Sequence, residues 1–281
     1  MNSDIKIIAL DLDGTLLDSQ KRLSERNRAA LERAAAKGAL VVPTTGRFFG
    51  MMPQAVRDLP FVRYAITING AQVYDRETDA AIVREEIPLE TALELMAILD
   101  RYDVIYDCYR QNWGWMTASL QAKAETYATD EHYLKMVREF RRPVPDLKAH
   151  LRETAAEGGV QKVMLFAPLA DTEAKTCAAI VREVNARFPE IKVTSSTWND
   201  LEFNIAGANK GNALKRFAEH LGLTLDNCMA FGDGLNDLTM VEAAGTGVAM
   251  ANAEPEVKRA AQVVTVSNDE DGVAVELEKI F

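Results

Sequence analysis

Two acid-bearing segments lie at opposite ends of this chain. "DLDG" sets Asp11 and Asp13 two residues apart behind the apolar run "IIAL", and "GDGLND" sets Asp233, Asn236 and Asp237 behind "CMAF". Carboxylates a few Å apart repel, so each placement is costly unless solvent screens the pair or a cation lies between them. Oxygen ligands from Asp11, Asp13 and Asp233 suit Mg²⁺, which takes a few carboxylates and fills its other positions with water or phosphate oxygens. The first segment is not an EF-hand loop, because Leu16 stands where that loop requires glycine. Each alone reads equally as a turn or a helix start; together, behind two expected strands, they point to a site.

Two further polar segments fit the same chemistry. "TTGR", residues 44–47, offers the Thr45 hydroxyl and, around Gly46, main-chain N–H groups open to an anion. Lys210, in "GANKGNAL", opens an expected helix and supplies the cation that a group of acids beside a phosphate needs. On its own "TTGR" is as readily a helix cap, and a lone lysine is ordinarily a surface residue.

The elements that must position these groups alternate at both ends of the chain. "KIIALDL", "ALVVPTTGR" and "YAITINGAQVYD" read as strands, the last running into Asn-Gly. Between them "SERNRAALERAAAKG" reads as a helix capped by Ser24 and stopped at Gly38, and "FFGMMPQAVRDL" as a second helix. The chain from "NKGNALKRFAEHLG" onward repeats the alternation, with strands at "CMAFGDG", "GVAMANA" and "QVVTVS". This is the pattern of a parallel sheet with helices on both faces, in which ligands bind at the carboxyl ends of strands where the strand order reverses. The middle differs: "VIYDCYRQNWGWMT" alternates like antiparallel strands about a turn at 112–114, followed by "KVMLFAP", a helix over "DTEAKTCAAIVREVNARF", "IKVTSS" and "LEFNIA". It reads as an α+β insert. The expected fold is therefore α/β, a parallel-sheet core in residues 1–84 and 207–281 with an inserted α+β domain at 85–206.

Composition narrows the function. The 281 residues carry a net charge of −10, which argues against the basic surface that sequence-independent nucleic-acid binding requires. Cys108, Cys177 and Cys228 are widely spaced with no CxxC, as expected of free thiols in a reducing compartment. The apolar run at the N-terminus is cut by Asp11 and lacks a basic leader, and no run reaches the ~18 apolar residues of a membrane span. A cytoplasmic protein without membrane partners is expected.

"DLDGTLLDS", "TTGR", the Lys210 segment and "GDGLND", in this order, resemble the four motifs of the haloacid dehalogenase superfamily. "TINGA", "NAEPEVKRAA" and "SNDEDGVA" resemble more closely its Cof-type phosphatases, which carry a large α/β (C2B-type) cap domain between the second and third motifs. Asn209 stands before the lysine where serine is commoner, and Ala251 before Asn252 where glycine is commoner.

The resemblance implies a Rossmann-like core and Mg²⁺-dependent hydrolysis of a small phosphorylated metabolite through an aspartyl-phosphate. Asp11 would be nucleophile and metal ligand. Asp13 would be the acid–base residue, reaching the metal through its main-chain carbonyl. Asp233 would complete the metal site, with Asp237 supporting it from behind the ligands. Thr45, Gly46, Lys210 and Asn236 would hold the phosphate, Lys210 also offsetting charge that develops during reaction. An acid at position 13 favours phosphate esters over halides, since a halide leaves without a proton. A sugar-phosphate mutase and a non-catalytic phospho-ligand sensor are the alternatives. Specificity would lie in the cap domain, where "YDCYRQNWGW" offers Arg110, Trp113 and Trp115; the same residues could simply pack that domain.

Overall fold

The computed structural model describes residues 4–128, 131–195 and 197–281. They form two units, Met1–Arg84 with Gly207–Phe281, and Glu85–Ala206. In chain order the first segment holds β1 (Ile7–Leu10), β2 (Leu40–Pro43), β3 (Tyr64–Thr67), β4 (Gln72–Asp75) and β5 (Ala80–Arg84). The inserted unit holds β6 (Ile105–Arg110), β7 (Trp113–Thr117), β8 (Arg141–Val144), β9 (Lys162–Phe166), β10 (Ile191–Thr194) and β11 (Asp200–Ile205). The last segment holds β12 (Cys228–Gly232), β13 (Thr246–Ala249) and β14 (Val263–Val264).

In the first unit a parallel sheet runs in the order β14-β13-β12-β1-β2. Every side chain of β1 is buried, as a parallel strand covered on both faces requires. The helix Glu25–Ala36 begins at Ser24, whose hydroxyl accepts from the Asn27 N–H, and it buries Ala30, Leu31 and Ala34. Leu31 from that helix, Phe217 from Lys210–His220 and Met240 from Leu238–Ala243 join Phe231 and Val248 of the sheet in one core. The chain steps from β1 to β2 on one side and later returns to the other side of β1 through β12, with Ile7 opposite Cys228 and Leu10 opposite Phe231. The strand order therefore reverses between β1 and β12, and the two acid-bearing turns leave the same sheet edge as neighbours.

Two local expectations are corrected. Residues 48–59 are not one helix: a short 3-10 turn, Phe49–Met51, is separated from the helical turn Gln54–Arg57 by an extended Met52. Pro53 is the cause, since a proline pushes the residue before it out of the helical region. Residues 64–75 are not one strand but a hairpin. Ile68, Asn69 and Gly70 take φ of 54°, 56° and 94°, and β4 then runs back antiparallel to β3 and pairs with β5. A bridge between Thr44 and Ile66 links β3 to the end of β2.

The inserted unit is a six-stranded sheet, β10-β11-β9-β6-β7-β8, antiparallel except for the β7–β8 pair. One face buries Tyr106, Cys108, Val163, Leu165, Leu201 and Phe203 against helices Leu89–Leu99, Leu147–Glu153 and Lys175–Arg187. The β6–β7 turn falls at Gln111 and Asn112, φ 50° and 62°, slightly earlier than expected. All three cysteines are free and buried. Among the described residues no helix is long and apolar enough to cross a membrane.

Candidate active site

Asp11 leaves β1 with its main-chain N–H donating to the Phe231 carbonyl of β12 at 3.0 Å, so the sheet itself fixes the base of this side chain. Lys210 is the first residue of its helix, completely buried. Its Nζ lies 2.6 Å from Asp11 Oδ1 and 2.5 Å from Asp237 Oδ1. The other oxygen of Asp237 accepts from the N–H groups of Asp233 and Gly234, each at 3.0 Å. Asp237 thus ties the loop after β12 to the lysine. Asp233 Oδ1 accepts from the Thr15 hydroxyl at 2.6 Å. Gly14 lies against Asp233: with φ +85°, an added Cβ would fall 2.3 Å from Asp233 Oδ2, so a larger residue would strain the backbone and push the carboxylate aside.

One oxygen from each of Asp11, Asp233 and Asp237 lies within 4.8 Å of the others. Three carboxylates thus face one ammonium. Burial, then the charge of Asp237, pushes the Asp11 carboxyl up to about 7 despite Lys210. Burial also raises Asp233. Lys210 is held above its ordinary value by Asp11 and Asp237, which outweigh its burial. The excess of negative charge in a desolvated pocket fits a hard divalent cation. Asp237 already has Lys210 and two N–H groups on its oxygens, which leaves Asp11 and Asp233 as the carboxylates better suited to hold that ion.

Asp13 stands apart from this group. Its Oδ2 lies 2.7 Å from Arg47 Nη2 and its Oδ1 2.8 Å from Lys21 Nζ. Thr45 is buried after β2, its N–H on the Ile66 carbonyl and its hydroxyl accepting from the Arg47 N–H at 3.3 Å. Gly46 abuts Asn69, whose Oδ1 would lie 2.8 Å from a Cβ added at Gly46. Asn236 is exposed on the turn after β12.

Several supporting residues were not singled out from sequence. Arg47 and Lys21 bind Asp13, and Thr15 binds Asp233. Asn252 donates to the Gly14 carbonyl at 2.8 Å and Asn268 to the Leu17 carbonyl at 2.9 Å, pinning the loop that follows the first acids. Gly70 packs on the start of the Lys210 helix, where an added Cβ would meet the Asn209 carbonyl at 2.2 Å. The signals were present in "TTGR", "TINGA", "NAEPE" and "SNDED", as segments without assigned tasks. Asn209 accepts from the Asn212 N–H at 2.8 Å, capping the helix as serine would.

In the inserted unit Arg110 is buried. Its guanidinium donates to the Thr154 hydroxyl at 2.8 Å and to the carbonyls of Thr154 and Gly158 at 2.5 and 2.9 Å. Trp115 stacks on His150 with ring centroids 4.4 Å apart. Trp113 is exposed, with the Arg142 guanidinium 3.6 Å from its ring centroid.

Comparison with known proteins gives concordant matches. The family model for haloacid dehalogenase-like hydrolases matches residues 8–277. The chain is 30% identical to the 5-amino-6-(5-phospho-D-ribitylamino)uracil phosphatase YcsE of Bacillus subtilis (strain 168), covering 96% of this chain and 94% of that protein. It is 30% identical to the pyridoxal phosphate phosphatase YbhA of Escherichia coli (strain K12), covering 96% of each. It superposes on the crystal structure of a haloacid dehalogenase-like hydrolase from Bacteroides thetaiotaomicron with TM-score 0.82, at 31% identity over 99% of this chain and all of that one.

Proposed function

The chain belongs to the haloacid dehalogenase-like hydrolases, in their Cof-type branch, and is a phosphatase of that family; on this premise we propose that it hydrolyses a small phosphorylated metabolite through a phosphorylated Asp11, with Mg²⁺ as its metal. A sugar phosphate or a phosphorylated cofactor is the proposed substrate class. The observation that carries the reading is the placement of Asp11: buried, held by Lys210, and beside Asp233 at the reversal of strand order.

Asp11 would attack phosphorus as the ester P–O bond breaks. Asp13, outside the acidic group, would give a proton to the leaving oxygen. Asp13 would then take a proton from water, whose oxygen displaces Asp11 from phosphorus and releases inorganic phosphate. A carboxylate is a weak nucleophile, so orientation and charge neutralisation must supply much of the rate. Thr45, Gly46, Lys210 and Asn236 would hold the phosphoryl oxygens. Asp11, Asp233 and the Asp13 carbonyl would hold the metal, which when bound neutralises charge on the phosphoryl group. Asp237 would keep Lys210 and the loop after β12 in place.

The test separates the two opening aspartates. Asp11→Asn should abolish turnover and any covalent phosphoryl group. Asp13→Asn should slow cleavage of an alkyl phosphate by ~10²–10⁴-fold, the usual scale of acid–base catalysis, and slow p-nitrophenyl phosphate less at the first step, because that leaving group departs without a proton. Water attack still needs the base, so Asp13→Asn should accumulate phosphoryl-Asp11 with the aryl ester, seen as added mass after acid quench. A label on another residue, or full turnover in excess EDTA, would refute the mechanism. Free phosphate as product, rather than an isomerised sugar phosphate, decides against a mutase. Pyridoxal phosphate and the ribitylaminouracil phosphate are the first substrates to assay, given the relatives that act on them.

A further inference from the structure

We propose that Asn69, at the tip of the β3–β4 hairpin, is a positioning residue for the phosphoryl group: its main chain ties down Thr45 and its carboxamide backs Gly46, so that residues 45–47 keep one shape for phosphate to bind. This rests on the reading of Thr45 and Gly46 as residues that hold the phosphate.

The tip meets residues 45–47 at successive places. The Ile68 N–H donates to the Arg47 carbonyl at 3.0 Å, and the Asn69 N–H to the Thr45 carbonyl at 3.1 Å. Between those two residues lies Gly46, and there the Asn69 side chain makes the contact. A Cβ added at Gly46 would fall 2.8 Å from its Oδ1 and 3.5 Å from its Nδ2. In a planar trans peptide the C=O and N–H point in opposite directions, so a Thr45 carbonyl turned toward Asn69 directs the Gly46 N–H away from the tip. The Thr45 N–H, on the Ile66 carbonyl at 2.9 Å, fixes the other end of that residue. The same tip also reaches a second group assigned to the phosphate. A Cβ added at Gly70 would lie 2.2 Å from the Asn209 carbonyl oxygen and 2.8 Å from the Lys210 main-chain nitrogen. One turn thus abuts both residues 45–47 and the start of the Lys210 helix.

The tip holds this place under strain. Ile68, Asn69 and Gly70 are all left-handed. Glycine and asparagine take such a backbone readily, whereas a β-branched residue is an outlier there. Ile68 is nonetheless buried with φ of 54°, and its N–H is one of the two that grip the segment. Strain of this kind persists only where the surroundings impose it, and it collects at working sites. Tolerance of left-handed φ is the ordinary explanation for an asparagine at position 69. Glycine would serve that end better, and it lacks the carboxamide that lies against Gly46.

The experiment compares Asn69→Gly and Asn69→Ala with wild type in Mg²⁺. It reads kcat/KM on an alkyl phosphate and on p-nitrophenyl phosphate, the inhibition constant of inorganic phosphate, and the unfolding temperature. For Asn69→Gly we expect kcat/KM to fall about tenfold, by the same factor on both esters, and the inhibition constant of phosphate to rise about tenfold, since the phosphoryl group is what both esters and the product share. Its unfolding temperature should equal or exceed that of wild type, because glycine suits φ of 56° better. Asn69→Ala should show the same kinetic loss with a lowered unfolding temperature, its backbone now being strained. Wild-type kinetics in Asn69→Gly overturn the proposal and leave Asn69 a turn residue. A loss confined to the alkyl ester, or an unmoved inhibition constant, overturns it too, since the defect then lies outside phosphate binding. A lowered unfolding temperature in Asn69→Gly overturns it in favour of a scaffold role. Each of these outcomes leaves the aspartyl-phosphate reading intact. A wild-type protein that phosphate does not inhibit, or that forms no phosphoryl-Asp11, defeats the underlying reading, and this proposal with it.

Discussion

Asp11 is buried and lies near two other acids, and in the function proposed it must still react as an anion. In the metal-free protein burial and Asp237 raise its carboxyl from 3.8 to about 7. Between those values the folded protein keeps a proton that the unfolded chain has released, so stability falls as pH rises through the window and the full cost persists above it. Thermal unfolding in EDTA should show this slope, and Asp11→Asn should flatten it. Mg²⁺ should raise the unfolding temperature more at the upper end of the window than at the lower, because a cation favours the ionised form. The same slope in both proteins would contradict the assignment. Lys210 is the converse case. Lys210→Met leaves Asp11 and Asp237 without their common cation, and breaking a buried ion pair from one side costs about 3–5 kcal/mol, to be read from urea unfolding above pH 7. Activity should be lost as well.

At the scale of elements the site depends on two turns that approach the Asp11 pocket from different parts of the first unit. Gly70, φ +94°, lies where a Cβ would strike the Asn209 carbonyl. Gly70→Ala should cost about 1–3 kcal/mol from the backbone alone, and more from the clash. It should also lower kcat, because Lys210 begins the displaced helix; if kcat holds while stability falls, the turn is scaffold only. Such couplings mark the limit of sequence reading. The acids were legible because two expected strands of one parallel sheet both end in Asp, and the parallel core because strand and helix periods alternate. The β3–β4 hairpin was not, although Asn69–Gly70 is its signature, since the residues on either side alternate like one strand. Arg110 was legible as a cation but not as a buried one. It follows Tyr106 and Cys108 on the buried face of β6, so the pleat carries it inward.

Over the whole molecule the two units divide the work between chemistry and choice of substrate, in the function proposed. Arg110→Ala should unsettle the inserted unit by about 1–3 kcal/mol, from the Gly158 carbonyl left without this donor and the Thr154 carbonyl left to the Glu157 N–H alone, and alter no preference among esters. Trp113→Ala should do the reverse, changing kcat/KM ratios among natural esters more than turnover of a small aryl phosphate, since remote contacts help only substrates large enough to reach them. Equal losses on all substrates would make Trp113 structural. The pairing of β1 with β12 carries a further consequence for how the protein is made. Ile7 finds its neighbour Cys228 only after the ribosome has passed the entire inserted unit. Residues 85–206 can therefore acquire their own core while β1, fully apolar and awaiting a partner on one side, is still exposed. The nascent chain thus passes through a stage in which the fully buried strand that leads to Asp11, the nucleophile in the function proposed, has an open edge, and a stall during translation before β12 leaves that edge uncovered.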